Sequence, residues 1–186
     1  MIVAFDASIL VYLFDREAAS PLGKKSGQPV ERCWDRLQHL IATLSRDKAK
    51  IIIPTPSLAE ALVWAQEGAP ERLRILKGSR HFRIVPFDER AAVEYAATQA
   101  GRHAAGTKPP AATRAKAKFD DQIVAVATVE GVSVIYSDDA DIVKLAGSRF
   151  SVFGIEDLPL PPEDAQMDIF IDAQPKSEDE PPQDEE

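Results

Sequence analysis

The sequence has one cysteine, no long apolar run and no glycine-rich loop, and each shortage excludes a class of protein. A single Cys33 rules out a disulfide framework and a cysteine-built metal site. No run of about 18 apolar residues predicts a membrane span. No basic segment precedes the first apolar stretch, as a secretory signal would require. Without glycine-rich spacing, a phosphate-binding loop is not expected either. We therefore expect a cytoplasmic protein with an ordinary apolar core.

Negative charge is concentrated at the end of the chain. Residues 156–186 hold 12 of the 30 acidic side chains and one of the 22 basic ones, a net charge of −11. The other 155 residues sum to +3, although the whole chain has a formal charge of −8. The overall acidity is therefore no argument against a nucleic-acid partner for the rest of the chain.

Short apolar segments alternate with helical patterns along the sequence. Strands are predicted at 2–5, 51–53, 82–85, 133–136 and 150–153, mostly as continuous runs of Val, Ile and Phe. Such continuity is typical of parallel strands that are covered on both faces. Helices are predicted after the first strand and at 30–46, 56–66, 88–105 and 119–130. The pattern predicts an α/β fold with a central, mostly parallel sheet of about five strands flanked by helices.

Two internal segments and the acidic end do not fit this alternation. Ser20–Pro29 and Gly106–Ala117 contain glycine, proline and basic residues, and we expect both to be loops. After Leu158 the composition shifts to Pro, Asp, Glu and Gln, which cannot bury enough apolar area to offset the chain entropy of folding. We expect a globular domain over 1–157 and a disordered acidic tail over 158–186.

Carboxylates follow the predicted strands at the edge where parallel sheets bind ligands. Asp6 ends the first strand, and Asp138 and Asp139 end the fourth. Asp120 and Asp121 open the helix that leads into the fourth strand, and Glu60 lies about one turn into the helix after the second. Together they would repel one another unless a cation neutralised them. Carboxylates and water are the ligands that Mg²⁺ and Mn²⁺ prefer, so the sequence predicts a divalent metal site.

Each acid also has a purely structural explanation. Asp6 could cap the first helix, Asp120 or Asp121 could cap theirs, and Asp138, Asp139 and Asp141 are common turn residues. Glu60 could be a surface residue of a mostly apolar helix. The hypothesis of a shared site is favoured because all of them fall at one edge of the predicted sheet. His39, His81 and His103 lack metal-ligand spacing and are expected to be structural or exposed.

Four segments together resemble the PIN domain, in particular the bacterial VapC-like ribonucleases of toxin–antitoxin systems. They are Ile-Val-Ala-Phe-Asp-Ala-Ser-Ile-Leu at 2–10, Thr-Pro-Ser-Leu-Ala-Glu-Ala-Leu at 55–62, Phe-Asp-Asp-Gln-Ile-Val-Ala-Val-Ala-Thr-Val-Glu-Gly at 119–131, and Ile-Tyr-Ser-Asp-Asp-Ala-Asp-Ile at 135–142. Each is weak alone, but their order and spacing match the family over most of residues 1–155. The resemblance implies a PIN-like three-layer fold.

The resemblance also implies which side chains carry the chemistry. The four catalytic and metal-binding acids would be Asp6, Glu60, Asp120 and Asp139. Asp121 and Asp138 are the alternates for the last two. Supporting roles fall to the hydroxyls and the outer acid: Ser8, Ser137 and Asp141. The implied reaction is Mg²⁺- or Mn²⁺-dependent hydrolysis of RNA, and the implied partners are a cognate antitoxin and a second copy in a homodimer.

Basic residues that precede Asp120 suggest where the substrate backbone lies. Lys108, Arg114, Lys116 and Lys118 could neutralise phosphates beside the cut, and a solvated helix face is an equally good explanation. In the tail, Gln166–Phe170 resembles short peptides that bind bacterial sliding clamps, a match too short to outweigh chance. The chain is longer than a minimal family member.

Two other functions are compatible with the sequence. A PIN-fold module could bind nucleic acid or protein without cleaving. A phosphatase of the haloacid dehalogenase type also begins with a strand ending in Asp. That class requires a second Asp two residues later, where this sequence has Ser8. We therefore favour the metal-dependent nuclease.

Overall fold

The computed structural model describes residues 1–24, 26–107 and 113–162. Within them five strands alternate with helices. The strands are β1 (Ile2–Phe5), β2 (Lys50–Pro54), β3 (Phe82–Val85), β4 (Val134–Tyr136) and β5 (Ser151–Phe153). The helices are α1 (Ala7–Phe14), α2 (Cys33–Arg46), α3 (Thr55–Ala65), α4 (Ala69–Gly78), α5 (Glu89–Ala104), α6 (Arg114–Val129) and α7 (Ala140–Ala146). Short 3₁₀ turns follow α3 and β5, at Gln66–Gly68 and Ile155–Asp157.

All five strands are parallel and form one sheet in the order β3-β2-β1-β4-β5. The first strand is therefore central, and Val3 lies opposite Ile51 on one side and Val134 on the other. This order brings the carboxyl ends of β1 and β4 side by side. Residues that follow these two strands consequently meet at the middle of one sheet edge.

The sheet is covered on both faces, which explains the continuous apolar strands. Val3 and Phe5 face a core built with α1, α2, α3 and α4. The residue between them, Ala4, faces a second core built with α5, α6 and α7. All three side chains are fully buried. The predicted α/β fold, with a parallel five-stranded sheet between two helical layers, is confirmed.

The start of α6 differs from the sequence prediction. The sequence predicts a loop over Gly106–Ala117 and a helix that Asp120 and Asp121 open, but α6 already begins at Arg114 and both acids lie in its second turn. Thr113 caps it, since its side-chain oxygen accepts a hydrogen bond from the Lys116 backbone N–H at 3.2 Å. A threonine cap is a local signal that outweighs the low apolar content of the first turn. As a result Lys116 and Asp120 lie one turn apart on the same helix.

Several predictions concern residues outside the described ranges. Lys108 is one of them, and so are the tail from 163 onward and its Gln166–Phe170 segment. The domain boundary at 157 likewise stays a prediction. In the described ranges, no helix combines the length and the apolar character needed to cross a membrane.

Candidate functional site

The carboxyl edge of the sheet gathers acids from four separate parts of the chain. Asp6 directly follows β1, and Asp139 follows β4 and caps α7. Glu60 comes from α3, which continues β2, and Asp120 comes from α6. We call these four residues the acid cluster. They are far apart in sequence, but the strand order brings them together because β1 is the neighbour of both β2 and β4.

Asp6 is the N-cap residue of α1, but its buried side chain makes no cap hydrogen bond and is held by three serine hydroxyls instead. Its Oδ2 accepts hydrogen bonds from Ser137 at 2.7 Å and Ser8 at 3.3 Å, and its Oδ1 accepts one from Ser57 at 3.2 Å. Burial raises the pKa of Asp6, the hydrogen bonds oppose that shift, and the charge of Asp139 adds to it. The carboxyl is therefore fixed in position while its negative charge is destabilised.

Ser137 connects two members of the acid cluster. Its hydroxyl donates to Asp6 and accepts the backbone N–H of Asp139 at 3.0 Å. Ser8 makes a parallel connection, since its hydroxyl accepts the backbone N–H of Asp138 at 3.0 Å. The two serines thus join the end of β1 to the end of β4.

Lys116 supplies a positive charge to the acid cluster. Its Nζ lies 2.8 Å from Asp120, 2.7 Å from Asp139 and 3.0 Å from Asp141. Partial burial disfavours its charged form, but the bonds to the three carboxylates outweigh this and raise the pKa of Lys116. Asp141 also lies 3.2 Å from Lys144. The ammonium group therefore occupies a position between carboxylates that a metal cation would also favour.

Glu60 is the exposed member of the acid cluster. Burial raises its pKa, and the charges of Asp6, Asp120 and Asp139 raise it further, while Lys116 opposes them. Burial also raises the pKa of Asp120. Lys116 opposes this shift, and the charges of Asp139 and Asp6 add to it. Mutual repulsion of this kind means that the four carboxyls lie within electrostatic reach of one another.

The structure separates the adjacent acids Asp120 and Asp121. Asp120 contacts Lys116 in the acid cluster, whereas Asp121 contacts α5. The Asp121 carboxylate accepts hydrogen bonds at 2.7 Å from Gln99 and from Arg102. Both ion-pair partners are largely buried, with 4% of the Asp121 side chain and 19% of the Arg102 side chain exposed. Successive helix positions differ by about 100° in direction, so two neighbouring acids serve two different contacts.

Asp138 and Asp139 are separated in the same way. The Asp138 carboxylate accepts the Ile155 backbone N–H at 2.9 Å, and its charge contributes, after burial, to raising the pKa of Tyr12 to about 12. A Cβ at Gly154 would lie 2.4 Å from the same Asp138 oxygen, so only glycine leaves room for this contact. Asp138 therefore fixes the chain after β5, and Asp139 faces Lys116.

Two of the four predicted basic residues, Lys116 and Lys118, have side chains that the structure describes, and the surroundings of these two differ. Lys116 points into the acid cluster, while Lys118 is exposed on α6. Lys108 and the side chain of Arg114 lie outside the residues that the structure describes. A phosphate-binding role for these four residues stays a prediction.

Two groups of residues near the acids were not anticipated from the sequence. Ser57 lies three residues before Glu60 and is fully buried against Asp6, which its place in the Thr-Pro-Ser-Leu-Ala-Glu segment could have suggested. Gln99 and Arg102, the partners of Asp121, come from a helix with no distinguishing motif. A charged pair formed across two helices leaves no signal in either segment alone.

The donor chemistry of the acid cluster fits a hard divalent cation, because its side chains offer carboxylate oxygens. Yet no group of three or more His, Cys, Asp or Glu side chains within the described ranges is arranged to hold a metal ion as it stands. Lys116 already binds Asp120 and Asp139. A metal ion held by these two acids would compete with the ammonium group for their carboxylates.

Comparison with known proteins identifies the fold. No family model and no curated protein matches the sequence. Among solved structures, VapBC2 from Rickettsia felis bound to a promoter DNA fragment matches with a TM-score of 0.57 at 16% identity, covering 83% of this chain and 98% of the other. VapC20 from Mycobacterium tuberculosis, a toxin that cleaves the sarcin-ricin loop, matches with a TM-score of 0.56 at 15% identity, over 84% and 99%.

A third similar structure is DNA-bound VapBC from Salmonella typhimurium, with a TM-score of 0.54 at 12% identity over 83% of this chain and 98% of the other. Identities this low establish a shared fold. The expected VapC-like PIN fold is therefore confirmed, and it extends over nearly the whole of the similar chains.

Proposed function

We propose that this protein is a metal-dependent endoribonuclease of the VapC type, acting on cytoplasmic RNA as the toxin of a toxin–antitoxin pair. The observation that carries this proposal is the convergence of Asp6, Glu60, Asp120 and Asp139 at one sheet edge. The raised pKa values of Asp6, Glu60 and Asp120 support it, since repelling carboxylates gain most from a divalent cation.

Mg²⁺ or Mn²⁺ would be held by the four acids of the cluster, where it would supply Lewis acidity to a phosphodiester. The protein's own contribution is positional. Ser137, Ser8 and Ser57 orient the Asp6 carboxylate, and the Asp139 carboxylate is fixed by accepting the Asp141 backbone N–H at 2.7 Å. Fixed ligands reduce the reorganisation needed for the reaction. We assign no ligand role to Asp121 and Asp138, because their carboxylates contact Arg102 and the Ile155 backbone instead.

The substrate and partners follow from the structural likeness as proposals. One similar protein cleaves the sarcin-ricin loop, and others are complexes named VapBC. We infer that this chain cleaves single-stranded or structured RNA, pairs with a cognate antitoxin and forms a homodimer. Binding of the Gln166–Phe170 segment to a sliding clamp is a weaker proposal, which rests on five residues of sequence.

The direct test is cleavage of labelled RNA and of matched single-stranded DNA with Mg²⁺, Mn²⁺ or EDTA. We expect RNA cleavage that requires metal and is lost in Asp6→Asn. Asp35→Asn removes a half-exposed carboxylate on α2 and should cleave like the wild type. Metal-independent cleavage, or full activity in Asp6→Asn, would refute the proposal. Cleavage of DNA alone would refute the RNA substrate.

A second function is favoured by one specific observation. Lys116 neutralises Asp120 and Asp139 without a metal ion, so the fold is compatible with a module that binds RNA or protein and does not cut. Calorimetric titration with Mn²⁺ distinguishes the two functions. RNA binding without Mn²⁺ binding and without cleavage would favour the binding module.

A further inference from the structure

The opposite edge of the sheet carries a basic cleft that the nuclease proposal does not use. The cleft has a volume of about 550 Å³ and lies where β2 and β3 begin. Its lining includes four cationic side chains, all exposed: Lys48, Lys50, Arg80 and Arg83. No acidic side chain is part of this lining.

Strand register explains why these charges meet. Ile51 of β2 lies beside Phe82 of β3, so the loop that leads into β2 runs next to the loop that leads into β3. The backbone N–H of Ile51 donates to the carbonyl of His81 and holds the two loops together. Lys50 is consequently adjacent to His81, with Arg80 one residue further out.

Among the described residues, most of the positive charge in this basic cleft has no acidic partner. Arg83 pairs with Glu130, the residue that follows α6. Lys48, Lys50 and Arg80 have no salt bridge to another described residue. Three uncompensated cations around one cleft create a positive potential that attracts a polyanion.

The cleft also contains aromatic surface. His81 and Phe82 are half-buried in its lining and stand between Arg80 and Arg83 in the sequence, and one side of the Phe82 ring packs edge to face on Phe5 in the core. Basic side chains interleaved with aromatic rings are typical of surfaces that bind single-stranded nucleic acid, because the phosphates pair with the cations and the bases stack on the rings. An acidic polypeptide would use the cations but gain little from the rings.

We propose that this basic cleft is a second RNA-binding site, which holds a part of the substrate remote from the acid cluster. The proposal rests on the proposed ribonuclease function for its choice of RNA. The two sites lie at opposite ends of strands of five residues or fewer, a distance of roughly 15 Å. A folded RNA can contact both, and a very short oligonucleotide can occupy only one.

The test compares RNA binding by the wild type and by the triple variant Lys48→Ser, Lys50→Ser, Arg80→Ser. Binding is measured by fluorescence anisotropy in EDTA, with a labelled RNA hairpin of about 30 nucleotides and a tetranucleotide. We expect hairpin affinity to fall about tenfold or more, and the slope of log affinity against log salt to fall by about 2 for three lost phosphate contacts. Affinity for the tetranucleotide should not change.

The matched control removes three other exposed arginines, Arg32→Ser, Arg46→Ser, Arg74→Ser, which pair with neighbouring acids outside the cleft. Hairpin binding that falls equally in both triple variants, or in neither, overturns the second site. A poly-glutamate of equal charge that displaces the hairpin at the same concentration as unlabelled RNA also overturns it, in favour of an acidic polypeptide.

Failure of this proposal is distinct from failure of the ribonuclease. If the wild type cleaves the tetranucleotide and the cleft variant binds the hairpin normally, only the second site is refuted. If no RNA is cleaved but the cleft variant alone loses hairpin affinity, the second site stands and the ribonuclease does not.

Discussion

The two edges of the sheet differ in how their charges are held. At the carboxyl edge, Asp120 and Asp139 share one lysine, and three serine hydroxyls fix the buried Asp6. At the amino edge, the cations of the basic cleft are exposed, and within the described ranges only Arg83 has an acidic partner. Buried and bonded charges act individually, because each has specific partners, whereas exposed charges act together and are screened by salt. Single substitutions should therefore matter at the carboxyl edge, and combined ones at the amino edge.

The largest expected effect separates the adjacent acids of α6. Asp120→Asn should lower RNA cleavage at least about 100-fold, more than is typical for a residue that only supports a metal ligand. Asp121→Asn should retain most cleavage but lose about 2 kcal/mol of unfolding free energy, because Arg102 keeps its charge without its partner. Cleavage rates and urea unfolding of both variants measure this. The reverse pattern would assign Asp121 to the site.

The next effect concerns the hydroxyls that orient Asp6. Ser137→Ala should lower cleavage about 10- to 100-fold, since it removes the shortest bond to Asp6 and the contact to the Asp139 backbone. Ser8→Ala removes a longer bond of 3.3 Å and serves as the matched control, with a smaller loss expected. Equal losses in the two variants would mean that Ser137 has no special positioning role. Initial rates at saturating RNA provide the measurement.

The next prediction is a gain of metal affinity at the carboxyl edge when Lys116 is replaced. Lys116→Met removes the ammonium that binds Asp120 and Asp139, so Mn²⁺ should bind about tenfold more tightly, the equivalent of one charge-assisted hydrogen bond. Lys118→Met removes an exposed charge two residues away and should leave Mn²⁺ affinity nearly unchanged. Calorimetry measures both. Weaker Mn²⁺ binding in Lys116→Met would mean that the ammonium does not compete with the metal.

The smallest effect is on stability and depends on pH. The pKa of Glu60 is raised in the folded protein from its ordinary value of 4.5, so the folded state binds its proton more tightly than the unfolded state does. Ionised Glu60 therefore costs stability above its folded pKa, and this cost disappears below pH 4.5. Glu60→Gln should stabilise the metal-free protein at pH 7 but not at pH 4. Urea unfolding in EDTA at pH 7 and pH 4 provides the measurement. An equal gain in unfolding free energy at the two pH values would disprove the prediction.

Much of the fold could be predicted because the apolar pattern and the sheet impose the same order. Continuous strands such as Ile51–Ile53 require cover on both faces, and the acids that follow β1 and β4 meet because parallel strands share one edge. Of the candidate acids, Asp6, Glu60, Asp120 and Asp139 are brought into one cluster. Their catalytic and metal-binding roles stay proposals.

What could not be predicted depends on contacts between distant segments. The directions of Asp120 and Asp121 follow from the rotation of α6 about its axis, which is fixed by the packing of buried residues such as Ile123 and Ala127. The contacts of Lys116 follow from the same helix rotation. The basic cleft is assembled from two loops that have no motif, so only the register of β2 with β3 reveals it.

Gly154 has a consequence for how the chain after β5 is attached to the acid cluster. Because Gly154 has no Cβ, Asp138 can accept the Ile155 N–H and latch the turn at Ile155–Asp157 to the end of β4. Asp138 is bonded covalently to Ser137, which holds Asp6, and to Asp139. The position of that turn and the positions of the Asp6 and Asp139 carboxylates therefore depend on the same short segment, Ser137 to Asp139.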